Sequence, residues 1–361
     1  MSAHLIAASG LGPKEPAAFV VEAQGRRLLL DCGKGPEPGR LPDFAAIGKV
    51  DAIVLSHSHP DHVGALEFRD RIGNPAVFAT PPVLARIKEV AGNAIPIRGR
   101  AEVLGIALET GPDGHAPGGV WLRLAVGEGL LYMGDNSPES GLYVFEPPPP
   151  TATIIVDGSY GDAETTLEEE QKALAELLAG GPALLPVPAD GRGPEIAMVL
   201  QDEGFDVAID AEIRSVAVML MYMASVSAHQ HSIPRLARLV RDARVLDAQS
   251  EPRGVMLAHG GSGDIGVPKA LIARWREAAE PMIVFTGHVA AGTTGRALLD
   301  GGRAKFQRWN VHPRLTDNLR LIETVDPKRV ILAFGEPRYL DVWRTHLGAR
   351  EVVSTTAPIE L

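Results

Sequence analysis

Residues 56–63, SHSHPDHV, place three histidines and an aspartate within six consecutive positions. Side chains alternate along an extended chain, so His57 and His59 point to the same side and can share one metal ion. Asp61 and His62 follow a proline, where the chain must turn, and they can face a second ion. A run of surface polar residues is the other interpretation, but the whole chain has only 11 histidines. The segment therefore predicts a metal site.

Two further metal-ligand candidates lie on turns beside predicted strands. His115 lies in the loop GHAPGG, and Asp135 follows a strand in LLYMGDNS. The apolar stretch AIVLS, residues 52–56, would end at the rim of a sheet, where a loop can present ligands from a rigid base. A lone loop histidine is usually not a ligand, but the neighbouring glycines and prolines, and the similar setting of Asp135, favour two more ligands.

Short strands alternate with turns and helices along the chain. Strand patterns are found at residues 18–22, 27–31, 51–56, 153–157, 254–258, 282–286 and 329–334. A helix is predicted over residues 165–179, because three glutamates suit its start and two glycines suit its end. A further helical region extends to about Val226. This alternation predicts an α/β fold with a parallel sheet.

Charge and cysteine content restrict the classes of protein. Lys and Arg number 35 against 45 Asp and Glu, and the net charge of −10 gives no global reason to bind nucleic acid. A polyanion would need a locally basic groove. The single cysteine, Cys32, excludes an internal disulfide and suits a reducing cytosol. The most apolar window, residues 216–227, is shorter than the roughly 20 residues of a membrane span, and we read no signal peptide, so we expect a cytoplasmic protein without membrane contact.

HSHPDH, the His115 loop and YMGDNS together resemble the metallo-β-lactamase superfamily, whose pattern is His-x-His-x-Asp-His, then His, Asp and a final His. The resemblance implies an αββα sandwich that binds one or two Zn²⁺ ions, with Mn²⁺ as the alternative. It implies that the first ion is held by His57, His59 and His115. The second would be held by Asp61 and His62, and Asp135 would bridge the two. Asp31, in RLLLDCG, matches an early turn of the family where the aspartate is more often structural.

Later segments resemble the β-CASP branch of that superfamily, close to ribonuclease J and the polyadenylation endonucleases. TIIVDGSYGD is similar to the strand and turn that close the lactamase part, and PADGRGPEIAMVL is similar to a helix start of pattern A-x-G-R-x-x-E. GVMLAHGGSGD and VFTGHVAAGTTGR resemble two glycine-rich units of the cap domain. The resemblance implies a lactamase domain at residues 1–160 and 305–361, and an inserted α/β cap at residues 161–304.

Asp157 and His312 match the acidic and histidine motifs of the β-CASP branch. The resemblance implies that two ions about 3.5 to 4 Å apart activate a water that attacks phosphorus. His312 would protonate the leaving oxygen, oriented and kept protonated by Asp157. Phe334 stands where the ribonucleases carry the histidine of H-G-E, so the second ion loses one protein ligand. Asp61 is then the alternative group to act on the nucleophile.

Glycine loops of the cap supply backbone N–H groups that can form anion sites. We predict a phosphate or substrate site formed by Arg192, Ser262, Gly263, Thr293 and Arg296. A plain turn is the commoner explanation of such loops, and only their place in the cap favours phosphate.

Three functions follow from the sequence. The favoured one is a metal-dependent phosphodiesterase or nuclease acting on RNA, with DNA as the second choice. The first alternative is a hydrolase of a small ester, lactone or nucleotide, which the acidic charge favours. The second is a binding or regulatory protein that lost its chemistry with the change at Phe334, and the six remaining ligand positions argue against it. The sequence leaves a homo-oligomer open.

Overall fold

The structure is a computed structural model that describes residues 3–37, 39–90, 92–223, 226–278 and 280–361. The chain divides into two compact units. Unit 1 consists of Met1–Pro138, Phe145–Glu164 and His312–Leu361, and unit 2 consists of Glu139–Val144 and Thr165–Val311. Unit 2 is therefore an insertion into the chain of unit 1.

The first sheet of unit 1 has seven strands. They are β1 (His4–Ser9), β2 (Ala18–Ala23), β3 (Arg26–Leu30), β4 (Ala52–Val54), β5 (Ala76–Ala79), β6 (Ala94–Pro96) and β20 (Ile359–Glu360). Their order in the sheet is β20-β1-β2-β3-β4-β5-β6. β3 to β6 pair in parallel, so the carboxyl ends of β3 and β4 meet at one edge.

The second sheet of unit 1 also has seven strands. They are β7 (Arg100–Val103), β8 (Ile106–Pro112), β9 (Val120–Leu124), β10 (Leu130–Tyr132), β11 (Thr153–Asp157), β18 (Arg329–Ala333) and β19 (Glu351–Val353), in the order β19-β18-β11-β10-β9-β8-β7. β10, β11 and β18 are parallel neighbours. Asp135, Asp157 and Phe334, at or just beyond their carboxyl ends, therefore lie along one edge of the sheet.

The two sheets of unit 1 pack face to face. One apolar cluster joins Phe19 and Leu30 of the first sheet to Tyr132 and Ile331 of the second. Helices cover the outer faces, namely α1 (Phe44–Ile47), α2 (Pro60–Val63) and α3 (Pro81–Leu84) on the first sheet and α10 (Leu315–Val325) and α11 (Leu340–Leu347) on the second. This arrangement is the αββα sandwich that the resemblance implies.

Unit 2 contains one parallel six-stranded sheet between helices. Its strands are β12 (Ala183–Val187), β13 (Val207–Ile209), β14 (Arg244–Val245), β15 (Val255–His259), β16 (Met282–Phe285) and β17 (Ala304–Phe306), in the order β14-β13-β15-β12-β16-β17. Its helices are α4 (Leu167–Leu178), α5 (Arg192–Asp202), α6 (Ala211–Tyr222), α7 (Ile233–Asp242), α8 (Gly266–Trp275) and α9 (Thr294–Asp300). The predicted α/β fold class is confirmed in both units.

The predicted domain borders at residues 160 and 304 stay a proposal, and the compact units differ from them. Unit 2 continues to Val311 because β17 pairs with β16. It also takes Glu139–Val144, whose backbone bonds to a side chain of α5. Ala224 and Ser225, within the predicted extension of α6, lie outside the described residues. Every helix among the described residues is too short or too polar to span a bilayer.

Candidate metal centre

The histidine segment begins just after β4, at the carboxyl edge of the first sheet. Pro60 opens α2, whose single turn carries Asp61 and His62. The carbonyl of Asp61 accepts the N–H of Ala17 at 2.8 Å, and the carbonyl of His62 accepts the N–H of Cys32 at 2.8 Å. Backbone hydrogen bonds to the chain around β2 and β3 therefore fix the turn that presents these side chains.

The chain after β3 passes so close to this turn that residue 33 must be glycine. A Cβ on Gly33 would overlap the carbonyl oxygen of Asp61 and crowd the backbone nitrogen of Ala17. Only glycine permits so close a backbone approach. The DCGKG motif is thus part of the support of the metal centre.

The loops that carry His115 and Asp135 are bonded to each other. The carboxylate of Asp113 accepts the N–H of His115 at 2.8 Å, and the carbonyl of Asp113 accepts the N–H of Ser137 at 2.9 Å. Burial raises the pKa of Asp113 well above its usual range. Gly134, with φ of 59°, makes the turn before Asp135 in the left-handed region, which glycine adopts without steric cost.

A first set of ligand atoms belongs to His57, His59, His115 and Asp135, all within 4.8 Å of one another. His115 Nε2 lies 3.0 Å from His59 Nδ1 and 3.6 Å from Asp135 Oδ2. His57 Nε2 lies 3.8 Å from the same carboxylate oxygen. Bonds of roughly 2.0–2.2 Å in a tetrahedral zinc site place its ligand atoms roughly 3.3–3.6 Å apart. The distances therefore fit one shared ion.

A second set of ligand atoms belongs to Asp61, His62 and Asp135. His62 Nε2 lies 3.3 Å from Asp135 Oδ1, whereas the first set faces Oδ2 of the same carboxylate. Burial raises the pKa of Asp135, but the charges of His62 and His312 outweigh it and hold that pKa well below its usual value. Asp135 is thus an ionised carboxylate that can bridge two cations.

The environment of the His57 side chain indicates that this centre suits a cation. Its side chain is fully buried, and among the described residues its Nε2 finds no hydrogen-bond partner. Burial and the neighbouring histidines lower the pKa of His57 well below its usual value, so the ring is neutral. An unpaired buried polar atom costs about 1–3 kcal/mol, and a metal bond to Nε2 would remove that cost. The residues present therefore fit a metal ion of the kind that imidazole and carboxylate ligands bind.

Asp31 orients the ligands from behind. It is fully buried, and its carboxylate accepts the hydroxyls of Ser56 at 2.6 Å and Tyr132 at 2.7 Å and lies 2.7 Å from His62 Nδ1. The bond at Nδ1 directs Nε2 of His62 towards Asp135. Burial lowers the pKa of His62, but the charges of Asp135 and Asp31 outweigh it and raise that pKa well above its usual value. A proton on Nε2 must therefore leave before this nitrogen binds a cation.

Sequence reasoning did not identify three of the supporting residues, namely Ser56, Asp113 and Tyr132. A signal was present, because each lies within three positions of a candidate ligand. Hydrogen-bonding partners of metal ligands are often close to them in the chain or on the next strand. Nothing in the sequence, however, distinguishes such a residue from an ordinary buried polar side chain.

His312 lies beside the end of β11. Its Nδ1 is 2.7 Å from Asp157 Oδ2 and 3.8 Å from Asp135 Oδ2. Its ring lies 5.3 Å from the ring of His115 and 5.1 Å from that of Tyr160, which it meets edge to face. The bond to Asp157 at Nδ1 therefore sets the orientation of the His312 ring.

Phe334 follows β18 and is nearly buried at the same edge. Its ring lies 5.4 Å from the ring of His62 and 6.4 Å from that of Phe19. Its φ of 59° is in the left-handed region, which costs a non-glycine residue roughly 1–2 kcal/mol. Backbone strain of this kind is concentrated at functional sites. An apolar ring therefore lies beside the second set of ligands, where the resemblance implies a histidine.

The predicted phosphate site lies in unit 2, near the carboxyl ends of its parallel strands. Arg192 Nε donates to Thr286 Oγ1 at 2.9 Å, and the guanidinium lies against Gly287. The carbonyl of Ser262 accepts the N–H of Gly295 at 2.9 Å. Arg192 and Ser262 are only partly buried.

Several donors in these glycine loops are already used within unit 2. The N–H of Gly263 donates to the carbonyl of Gly260 at 2.8 Å, and Thr293 Oγ1 donates to the carbonyl of Ala290 at 2.6 Å. The carboxylate of Asp264 accepts the backbone N–H of Thr294 at 3.0 Å. Arg296 pairs with Asp300 one turn further along α9, at 2.7 Å. Phosphate binding by these residues stays a prediction.

Comparison with known proteins identifies the first part of the chain. Residues 11–181 match the metallo-beta-lactamase superfamily. A crystal structure of a protein of unknown function from Enterococcus faecalis V583 superposes with a TM-score of 0.61 over 100% of both chains, at 13% identity. At that identity the likeness shows the fold alone.

Three similar proteins cover most of the chain. Ribonuclease TTHA0252 of Thermus thermophilus is 27% identical over 342 residues, which cover 78% of both chains. Endoribonuclease ysh1 of Schizosaccharomyces pombe is 25% identical over 89% of this chain and 52% of its own. Transcription termination factor FttA of Methanocaldococcus jannaschii is 26% identical over 84% of this chain and 57% of its own. The chain thus spans little more than half the length of the last two. Residues 11–181 thus match the metallo-β-lactamase superfamily, and the chain as a whole resembles the β-CASP ribonucleases.

Proposed function

We propose that this protein is a metal-dependent phosphodiesterase that cuts RNA. The observation that carries the proposal is the convergence of five donor side chains on a sixth, the buried carboxylate of Asp135, in a chain similar to ribonucleases. A fold alone does not fix a substrate, so the proposal depends on the site together with these relatives.

Zinc is the metal we propose, because the donor atoms are imidazole nitrogens and carboxylate oxygens at tetrahedral spacing. When bound, such ions supply an activated water and stabilise charge on the oxygens of a phosphodiester. The residues that would hold them are His57, His59, His115, Asp61, His62 and Asp135. Asp61, at the second set, is also the candidate to accept a proton from the nucleophile if that set binds weakly.

His312 is the proposed general acid. Asp157 fixes its Nδ1 at 2.7 Å, so the ring orientation is set and Nε2 can donate a proton to the leaving oxygen of the substrate. A phosphate-binding role for Arg192 and the glycine loops of unit 2 is a separate part of the proposal. The single cysteine is buried, which supports a reducing compartment such as the cytoplasm.

A cleavage assay tests the proposed function. We expect the zinc-loaded protein to cut end-labelled single-stranded RNA, to lose this activity with a chelator and to regain it with zinc or manganese. DNA of the same sequence serves as the comparison substrate. Esters and lactones of p-nitrophenol test the small-molecule alternative. A fully loaded protein that cuts neither RNA, DNA nor bis(p-nitrophenyl) phosphate would contradict the proposal.

Phe334→His is expected to tighten binding of a second ion at least about tenfold, by supplying a fourth ligand to the set around His62. Histidine tolerates the left-handed backbone of this position better than most residues. Competition titration with a chromophoric chelator measures the affinity. Phe334→Leu, which removes the ring without adding a nitrogen, is the control. Equal affinities in the histidine and leucine variants would show that residue 334 does not face the second ion.

A further inference from the structure

Two segments of the chain near the borders of unit 2 donate hydrogen bonds to one buried carboxylate of that unit. Glu195 of α5 is 2% exposed. Its Oε1 accepts the hydroxyl of Ser140 at 2.9 Å and the N–H groups of Gly141 at 2.7 Å and Leu142 at 3.1 Å. Its Oε2 accepts the indole N–H of Trp309 at 3.3 Å. The side chain thus bonds the two chain segments to each other through α5.

Both bonded segments are close in the chain to residues of the candidate site. Ser140 follows Asp135 by five residues, and Trp309 precedes His312 by three. A chain spans at most roughly 3.3–3.6 Å per residue, so three residues leave little slack. A large shift of Trp309 would therefore displace His312 as well.

The carboxylate of Glu139 joins a third part of the chain, residues 165–167, to the segment that precedes His312. Glu139 accepts the N–H of Leu167 and the side-chain amide of Asn310, both at 3.1 Å. Asn310 also donates to the carbonyl of Thr165 at 2.8 Å. The residues just before His312 are thus held from two directions within unit 2.

The carboxylate of Glu195 occupies its buried position at an electrostatic cost. Burial raises the pKa of Glu195, which shows that its charged form is costly there. An apolar residue here would leave four hydrogen-bond donors without this acceptor. What the carboxylate adds is direction, because its two oxygens accept donors from two separate segments.

We propose that Glu195 is a positioning residue. It bonds the segment that follows Asp135 to the segment that precedes His312, and in this way fixes His312 relative to Asp135. The kinetic consequence rests on the proposed function. The contact itself does not, so the two can fail separately.

Glu195→Gln separates the two halves of the contact. The amide oxygen still accepts from Ser140, Gly141 and Leu142, but its NH₂ group meets the indole N–H of Trp309 donor to donor. We expect kcat for RNA to fall about ten- to a hundredfold, as a misplaced catalytic group does, with KM and zinc content within about twofold of the wild type. An unchanged kcat would overturn the proposal.

Trp309→Phe removes the same bond from the other side and keeps a ring in the core. We expect a similar fall in kcat, and a double variant with Glu195→Gln no worse than either single one, because both remove one contact. Additive losses would show independent effects and contradict the proposal. Glu170→Gln is the matched control, since Glu170 accepts from Gln307 on the same segment at 2.6 Å without contacting Trp309.

Nuclear magnetic resonance tests the inference without a substrate. In the zinc-loaded protein, Glu195→Gln is expected to move the indole N–H resonance of Trp309 upfield and to shift the ring resonances of His312. The Glu170→Gln control should leave both in place. If the Trp309 resonance moves and that of His312 does not, Glu195 is a structural residue only. If both move but wild-type protein cuts no phosphodiester, the proposed function fails and the positioning contact stands.

Discussion

Asp135→Ala is expected to abolish RNA cleavage, with a loss of about a thousandfold or more in kcat/KM. The reason is that Asp135 faces both sets of ligands, Oδ2 towards His57 and His115 and Oδ1 towards His62. Its removal would take one candidate ligand from each set and leave the positive charge of the site without its central carboxylate. Lewis-acid catalysis of this kind supplies several kcal/mol of transition-state stabilisation. Metal content by mass spectrometry and kcat/KM on labelled RNA measure the effect.

Asp70→Ala is the control for Asp135→Ala, because Asp70 is an exposed carboxylate of unit 1. It should retain wild-type zinc content and activity. If Asp135→Ala kept its full metal content and cut RNA at the normal rate, Asp135 would not be a bridging ligand.

His312→Ala is expected to reduce kcat on RNA by about a hundred- to ten-thousandfold while the zinc content stays unchanged. The loss should shrink on bis(p-nitrophenyl) phosphate, because p-nitrophenolate leaves without needing a proton. This dependence on the leaving group distinguishes a general acid from a residue that binds substrate. Asp157→Asn should show the same pattern more weakly, since it removes the carboxylate that orients His312 Nδ1.

Metal content separates the two roles open to His312. Its Nδ1 also lies within ligand distance of Asp135 and Asp157, a third group of donors in the structure. If His312→Ala lost about one ion per chain, His312 would be a ligand and the general-acid role would be wrong. An equal loss of rate on RNA and on the activated diester would contradict that role as well.

The sequence predicted the fold class because its signals are local. α4 was expected at residues 165–179 and runs from Leu167 to Leu178, with Thr166 and Glu169 forming a capping box at its start. β11 was expected at residues 153–157, where the structure has it. Periodicity and capping residues identify single elements, but strand order depends on packing between distant segments. The order β14-β13-β15-β12-β16-β17 in unit 2 could not be read from the sequence.

The candidate site was predictable where its candidate ligands lie close together in one sequence motif. HSHPDH identifies its own ligands by spacing, whereas His115 and Asp135 needed the resemblance as well. The structure brings all six donors together. Asp31, Ser56 and Tyr132 form one buried network from three strands or strand ends, and their closeness to ligands in the chain does not show that they meet.

The sequence does not show which donors of the glycine loops already have partners in the fold. Arg296 was predicted to contact phosphate, and in the structure it pairs with Asp300 on the surface of α9. In the glycine loop before it, the N–H of Thr294 donates to Asp264 and the N–H of Gly295 donates to the carbonyl of Ser262. A motif shows that donors are available in the chain, but only the fold shows which partners they have already taken.

Anomalous diffraction at the zinc edge, from crystals of the zinc-loaded protein, tests the central claim most directly. The account predicts a strong peak within bonding distance of His57 Nε2 and of ligand nitrogens of His59 and His115, with Asp135 as the fourth ligand. A second, weaker peak between Asp61 and His62 would fit the ligand missing at Phe334. Crystals in which zinc binds only elsewhere on the protein, and His57 Nε2 stays without a metal bond, would contradict it.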